Sequence, residues 1–169
     1  MLELIEGSTL PDAIALSMRY LREMPDHEET LDALETAVRL ATGAESPTEC
    51  IPRIGEGWIA EEALAISVFC SLRALSPEDG IIMAVNISGD SDSTGSITGN
   101  ILGSVHGERS LPVRWLGTLE LHDLIRTMAD DIAAFKDWRL TVDGIAAQDS
   151  GIEPSPFTEN EYQWNRYPG

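Results

Sequence analysis

The chain has 169 residues, and its 29 Asp and Glu residues outnumber its 11 Lys and Arg residues to give a formal net charge of −18. This length predicts one compact domain with a hydrophobic core, and a hydrophobic fraction of 43% argues against intrinsic disorder. The negative charge argues against binding to nucleic acid or to an anionic membrane surface, because both require clustered cations. No segment approaches the roughly 20 apolar residues of a membrane span, and the N-terminus lacks the basic region of a signal peptide. We therefore expect a soluble, cytoplasmic protein.

Helical patterns dominate the first part of the chain. One helix is predicted to begin between Thr9 and Pro11, because proline is favoured in the first turn, and to end before Pro25. A second is predicted over residues 28–42, where apolar residues recur at three- and four-residue steps, with Gly43 as its C-terminal stop. The two cysteines stand in unrelated contexts and predict neither a disulfide framework nor a zinc site.

The middle of the chain contains the most clearly predicted helix. Residues 44–57 carry two prolines and two glycines and are predicted to form a loop. Residues 59–75 are predicted to form a helix that is nearly apolar on most sides from Ala63 to Phe69, which is typical of a central position in a helical core. The apolar run at 81–85 is consistent with a buried strand or with one turn of a buried helix.

Two further helices are predicted, over residues 93–105 and 119–135. The fold is therefore expected to be all-α. We expect a helical region over residues 1–138 and, packed on it, an irregular tail over residues 139–169 with a short extended segment at 139–142.

One segment combines carboxylates and hydroxyls between an apolar run and the start of a helix. It contains Asp90, Asp92, Ser93 and Thr94. Such residues are ordinary helix N-caps, but a single side chain is enough to cap a helix. Two carboxylates this close also repel each other unless a cation or ordered donors lie between them. Because carboxylate and hydroxyl oxygens are hard ligands, the segment is a candidate site for Mg²⁺, Mn²⁺ or Ca²⁺.

The helix–loop–helix calcium motif does not fit this segment. Counted from Asp90, Gly95 occupies the glycine position, but Ile101 occupies the position of the bidentate glutamate. We therefore reject a calcium-binding loop of that type.

Glycines recur every four residues after the acidic segment, at Gly95, Gly99, Gly103 and Gly107. Each costs a helix roughly 0.8–1 kcal/mol relative to alanine, so this spacing indicates that something packs closely against the backbone. Tight helix–helix packing explains the pattern by itself, and the same packing would also bring the acidic segment into the middle of the bundle.

Taken in order, these motifs resemble the ADP-ribosylglycohydrolase family, which includes the enzyme that removes ADP-ribose from dinitrogenase reductase. Residues 55–64, GEGWIAEEAL, resemble the family's glycine–aromatic loop and the start of its central helix. Residues 84–93, AVNISGDSDS, resemble the approach to its G-D-x-D-[ST] metal motif and the motif itself. Residues 95–103, GSITGNILG, resemble its glycine-spaced helix, and Leu111-Pro112 follows at the family's interval. The resemblance extends from about Leu10 to Phe135.

The resemblance implies an all-α, orthogonal multi-helix bundle with two divalent metals, Mg²⁺ or Mn²⁺, at its centre. It assigns metal ligation to Asp90, Asp92 and Ser93, where the family more often has threonine at the third position. By the same analogy Gly55, Gly57 and Trp58 line the ADP-ribose pocket, although a plain helix-entry turn also explains Trp58. Asn86 is a further candidate that would steady the acidic segment.

The implied activity is metal-dependent hydrolysis of ADP-ribosyl glycosidic bonds, in a modified protein or in a small ADP-ribosyl compound. Family members are roughly twice as long as this chain, and their first half carries a T-D-D-T-type metal motif and the acid/base carboxylate. No segment of this sequence matches the T-D-D-T-type motif. The one adjacent acidic pair considered for it, Asp130-Asp131, follows the second motif and has the pattern of a solvated helix face. We therefore expect the C-terminal portion of such an enzyme, with an incomplete metal site and an N-terminal half chain as a candidate partner.

Two other functions are compatible with the sequence. One is a catalytically inactive helical module that binds or regulates a partner and retains the fold. The other is a simple acidic domain that binds cations.

Overall fold

The computed structural model describes residues 1–134, which are helical and contain no β-strand. The predicted all-α architecture is therefore confirmed. Residues Met1–Val113 form one compact unit, and the described residues from Arg114 onward belong to a second. The predicted tail at 139–169, with its extended segment, lies outside the described residues, so the predicted domain boundary at residue 138 stays a prediction.

The helices follow one another with short connections. In chain order they are α1 (Leu2–Ile5), α2 (Leu10–Leu21), α3 (Glu28–Ala41), α4 (Pro47–Cys50), α5 (Ala60–Arg73), α6 (Pro77–Val85), α7 (Ser91–His106), α8 (Val113–Leu116) and α9 (His122–Ala134), with 3-10 turns at Ile51–Arg53 and Glu108–Ser110. None of the helices within residues 1–134 has both the length and the apolar character needed to span a membrane.

Helix α5 is the centre of the first unit and packs against α3, α6 and α7. Its residues 65–71 are all buried, and Ile66 and Phe69 are among the largest fully buried side chains. Around them lies a core to which α3 contributes Leu40 and α6 contributes Ala84. The predicted central position of this helix is thus confirmed, and it follows from burial of apolar surface on nearly every side of residues 65–71.

Capping residues account for several helix starts. The Thr9 hydroxyl accepts a hydrogen bond from the backbone N–H of Asp12 at the start of α2. The Ser76 hydroxyl accepts the equivalent bond from Asp79 at the start of α6. Each bond satisfies one of the N–H groups that a helix leaves unpaired at its first turn.

The predicted loop at 44–57 is wrong over part of its length, because it contains α4 and a 3-10 turn. Proline favours turns within a loop but is equally suited to the first position of a helix, and Pro47 occupies that position in α4. The Glu49 carboxylate accepts hydrogen bonds from both the hydroxyl and the backbone N–H of Ser46. These bonds lower the pKa of Glu49, and they stabilise the first turn of α4.

Residues 81–85, for which a buried strand and a turn of buried helix were both predicted as possible, are helical. These residues form the end of α6, which begins at Pro77. Helix α7 begins at Ser91, two residues before the predicted start, because Asp90 is its N-cap.

Both cysteines are free thiols buried in the same core cluster. Cys50 therefore lies in the core, although the sequence around it is polar. Burial raises the pKa of the Cys70 thiol to about 12, so this group is a neutral core side chain.

In the second unit, α9 begins at His122, later than predicted, immediately after Leu121 with its positive φ of 58°. The helix carries the adjacent acidic pair that was predicted to face solvent. Asp130 is exposed, as predicted, but Asp131 is buried, so the prediction is wrong for Asp131. Adjacent residues on a helix point about 100° apart, and a pair therefore rarely shares one environment.

Candidate metal and ADP-ribose site

The glycine–tryptophan loop, residues 55–58, is held in shape by a glutamate of the helix that follows it. Oε2 of Glu62 accepts hydrogen bonds from the backbone N–H groups of Glu56 and Gly57, both at 3.0 Å. Gly57 has a φ of +83°, a conformation that favours glycine. At Gly55 a side chain would collide with the Glu62 side chain. The loop therefore needs glycine at both positions and a long acceptor at residue 62.

The acidic segment is attached directly to this loop. The backbone N–H of Asp90 donates to the carbonyl oxygen of Glu56 at 2.9 Å. Gly89 lies so close to the same carbonyl that a Cβ atom there would overlap it. A Cβ on Gly57 would lie 3.1 Å from Thr94 and 3.6 Å from Asp90. Two segments more than 30 residues apart in the sequence are thus joined at one site.

The carboxyl groups of Asp90 and Asp92 interact at the start of α7. Asp90 is half-buried and accepts a hydrogen bond from the backbone N–H of Ser93, whereas Asp92 is exposed. A hydrogen bond with the Asp92 side chain, and next one with the Ser93 side chain, lower the pKa of Asp90. The N-cap alternative and the metal-ligand prediction therefore concern the same residue, because Asp90 caps α7 and still lies within reach of a second carboxyl.

Two buried hydroxyl groups, those of Thr94 and Ser67, connect the acidic segment to the neighbouring helices. The Thr94 hydroxyl lies within hydrogen-bond distance of three carbonyl oxygens, those of Ala84 at 2.9 Å, Asp90 at 3.0 Å and Ser91 at 3.3 Å. The Ser67 hydroxyl on α5 reaches the carbonyl oxygens of Ala63 at 2.7 Å and Thr94 at 3.1 Å. These bonds connect α5, α6 and α7 through Thr94, whose hydroxyl also reaches the Asp90 carbonyl oxygen.

The remaining predicted site residues lie at the surface. Trp58 is 67% exposed, and its indole N–H donates to the Glu56 carboxylate at 3.2 Å. Asn86 is the exposed C-cap of α6, and its amide donates back to the carbonyl oxygen of Ile82 at 2.7 Å. Of the predicted pocket residues, Gly57 therefore lies against Asp90, Gly55 against Glu62 and Trp58 against Glu56, whereas the bond that Asn86 makes is within its own helix.

Three side chains of the site have contacts that the sequence analysis did not predict. Glu62 lies within the motif at residues 55–64, and Thr94 was counted only as one hydroxyl of the acidic segment. Ser67 carried no signal, because a serine inside an apolar helix is usually bonded only to its own helix.

The candidate metal ligands have the oxygen atoms that Mg²⁺ and Mn²⁺ prefer, but there are fewer of them than either ion requires. Asp90, Asp92 and Ser93 offer hard oxygen atoms, which these ions prefer, on one helical turn. Magnesium takes about six ligands in octahedral geometry. Within residues 1–134, however, no group of three or more His, Cys, Asp and Glu side chains is arranged to hold a metal. The described residues therefore fit part of a coordination sphere.

The chain is similar in sequence to known proteins of one family. The chain is 30% identical over 97 residues to a protein of Danio rerio named ADP-ribosylhydrolase ARH3, covering 48% of this chain and 26% of that protein. It is 22% identical over 95 residues to the Bos taurus protein of the same name, covering 50% of this chain and 26% of that protein. The matched region spans about a quarter of the length of each relative. No solved structure matches the chain significantly. The sequence profile of the ADP-ribosylglycohydrolases matches residues 2–141, and the chain therefore belongs to the ADP-ribosylglycohydrolase family.

Proposed function

We propose that this chain contributes the second metal-ligand motif of a metal-dependent enzyme that hydrolyses ADP-ribosyl glycosidic bonds. One observation carries the proposal: the Asp90 N–H bond to the Glu56 carbonyl oxygen joins the acidic segment to the glycine–tryptophan loop. Family membership supports ADP-ribosyl hydrolysis in general. The proposed substrates are ADP-ribosylated proteins or small ADP-ribosyl compounds, and an N-terminal half chain is the proposed partner.

The proposed ligands from this chain are Asp90, Asp92 and Ser93. A bound Mg²⁺ or Mn²⁺ would supply Lewis-acid polarisation and a template for ribose hydroxyls. The chain itself supplies concentrated negative charge, which stabilises the oxocarbenium-like transition state of glycoside cleavage. Trp58, on the loop that is bonded to Asp90, offers an exposed aromatic face for binding an ADP-ribosyl group. The acid/base carboxylate is proposed to come from the N-terminal half.

The test is ADP-ribose release from peptides ADP-ribosylated on serine or arginine, in Mg²⁺ or Mn²⁺. The chain is assayed alone and with the N-terminal half of a family member as a second chain. The double variant Asp90→Asn/Asp92→Asn should abolish release. The matched control is Glu28→Gln/Glu29→Gln, which removes the same charge from two exposed residues in the first turn of α3. Full activity of the aspartate variant would contradict the proposal.

An alternative is a catalytically inactive helical module that retains the fold and binds a partner. The observation that favours it is the small donor set, with no cluster of three metal-binding side chains among residues 1–134. Titration calorimetry with ADP-ribose distinguishes the two functions. Under this alternative ADP-ribose or a protein partner binds without metal. Asp90→Ala then changes that binding or the free energy of unfolding, and no hydrolysis is detected with or without the substitution.

A further inference from the structure

One carboxylate oxygen of Glu62 accepts hydrogen bonds from two backbone N–H groups of the same loop. Its Oε2 accepts from the N–H groups of Glu56 and Gly57, each at 3.0 Å, and its side chain fills the space beside Gly55. A carboxylate that accepts two N–H bonds is a strong anchor, because each bond is charge-assisted. The glycine–tryptophan loop is therefore fixed to the first turn of α5.

The same loop residue is held from its other side by the acidic segment. The N–H of Glu56 is bonded to Glu62, and its carbonyl oxygen accepts from the N–H of Asp90 at 2.9 Å. Gly89 is packed against that carbonyl without room for a side chain. A continuous series of hydrogen bonds thus runs from the Glu62 carboxylate, through the backbone of Glu56, to the backbone of Asp90.

The loop contacts fix where the turn at Asp90 lies, whereas the conformation of this turn is closed locally. Asp90 is the central residue of an inverse γ-turn, with a φ of −73° and a ψ of 77°, in which the N–H of Ser91 donates to the carbonyl oxygen of Gly89 at 2.9 Å. The N–H of Asp90 is bonded to the loop, and its carbonyl oxygen accepts from the N–H of Thr94 at 3.2 Å. The first bond sets where α7 begins relative to the loop, and this determines where the Asp90 carboxylate lies.

We propose that Glu62 is a positioning residue for Asp90. Its carboxylate fixes the glycine–tryptophan loop, and the loop fixes the backbone from which the Asp90 carboxylate projects. The positioning holds whether or not a metal binds, whereas its consequence for metal affinity rests on the proposed function. Partners that orient metal ligands in this way typically change metal affinity by about 10- to 100-fold when they are removed.

Four single variants of the full chain separate this role from a general effect on stability. Glu62→Ala removes the anchor, and Glu62→Gln keeps an oxygen acceptor of the same length without the charge. Gly89→Ala breaks the contact from the α7 side without changing Glu62. Glu61→Ala is the matched control, because it removes a glutamate from the same first turn of α5.

The first measurement is amide hydrogen exchange, read at Asp90 and at Leu34 in the core of α3, with no metal present. In Glu62→Ala and Gly89→Ala the Asp90 amide should exchange at least about tenfold faster, as expected when a hydrogen bond opens locally, while exchange at Leu34 stays unchanged. Glu62→Gln and Glu61→Ala should retain the protection of Asp90. Unchanged protection of Asp90 in Glu62→Ala would overturn the proposal. If that variant fails to fold, unchanged protection in Gly89→Ala overturns it in the same way.

The second measurement is Mn²⁺ binding, followed by electron paramagnetic resonance of the free ion. Glu62→Ala should weaken binding by about 10- to 100-fold, and Glu62→Gln should restore most of the affinity. If the unmodified chain binds no Mn²⁺ even with the N-terminal half, the proposed function fails, and the exchange data alone decide the positioning role. If the chain binds Mn²⁺ and Glu62→Ala binds it equally well, the positioning role is wrong.

Discussion

Two threonines on successive turns of α7 are both fully buried, but their hydroxyls have different surroundings. The Thr94 hydroxyl lies 2.9 Å from the carbonyl oxygen of Ala84 and also reaches that of Asp90. The Thr98 hydroxyl has no hydrogen-bond partner among the described residues. A buried polar group is favourable only when it is paired, so the two side chains make opposite contributions to stability.

We predict that Thr98→Val leaves the free energy of unfolding unchanged or raises it by up to about 1 kcal/mol, because valine keeps the shape and removes the unpaired hydroxyl. Thr94→Val is the matched control. It should lower the free energy of unfolding by about 1–3 kcal/mol, since it leaves the Ala84 carbonyl without its donor. Urea unfolding measures both values. A loss at Thr98→Val as large as that at Thr94→Val would show that a buried water pairs with Thr98.

Without the family resemblance, the residues of the candidate site could be predicted only where their role is local. Asp90 was identified because carboxylates and hydroxyls crowd a helix start, and this pattern lies within a few residues. Ser67 could not be assigned, because its bond to the Thr94 carbonyl oxygen depends on how α5 packs against α7. Glu62 could not be assigned, because its two bonds depend on the backbone conformation of the preceding loop. The contact between Asp90 and Glu56 joins distant segments, and only the family resemblance pointed to it.

At the level of the helices, the four-residue glycine spacing in α7 has several causes. A Cβ atom on Gly95 would lie 2.5 Å from Cγ1 of Val85, so α6 approaches α7 closely at this point. At Gly99 the nearest atom would be 3.9 Å away, and at Gly103 nothing lies within 4 Å. Gly107 is the C-cap with a φ of 75°. Tight helix packing therefore explains Gly95, and a helix-ending conformation explains Gly107.

We predict that Gly95→Ala lowers the free energy of unfolding by about 1–3 kcal/mol, because the added methyl group forces α6 and α7 apart or Val85 out of its rotamer. Gly103→Ala is the control in open space. It should raise the free energy of unfolding by about 0.5–1 kcal/mol through helix propensity. Thermal and urea unfolding measure both. If Val85→Ala does not reduce the effect of Gly95→Ala, the proposed contact is not its cause.

The helices that could be predicted are those with long apolar periods and clear ends, namely α2, α3, α5 and α7. The short helix α4 escaped prediction because prolines have two structural uses, and the Ser46–Glu49 pair selects between them. The start of α9 shifted for a different reason, since Leu121 adopts a positive φ that interrupts the pattern. Local patterns thus determine helix centres, whereas capping and backbone turns determine the ends.

For the whole molecule, the net charge of −18 predicts a general response to salt and the candidate site predicts a specific one. Like-charge repulsion destabilises a compact chain and is screened over about 8–10 Å at physiological ionic strength. NaCl should therefore raise the melting temperature through screening alone. At the same ionic strength MgCl₂ should raise the melting temperature further if Mg²⁺ binds the folded chain. Binding adds about 2.7 kcal/mol to the free energy of unfolding when the Mg²⁺ concentration is 100 times the dissociation constant.

We predict that this excess stabilisation by MgCl₂ disappears in Asp90→Asn/Asp92→Asn and persists in Glu28→Gln/Glu29→Gln. Both variants change the net charge equally, so screening affects them alike, and only binding at the candidate site separates them. Calorimetric melting in NaCl and MgCl₂ of matched ionic strength measures the difference. If the two salts act equally on the unmodified chain, its acidity serves solubility alone and the ion requires ligands from outside this chain. If the excess persists in the aspartate variant, Mg²⁺ binds elsewhere on the acidic surface.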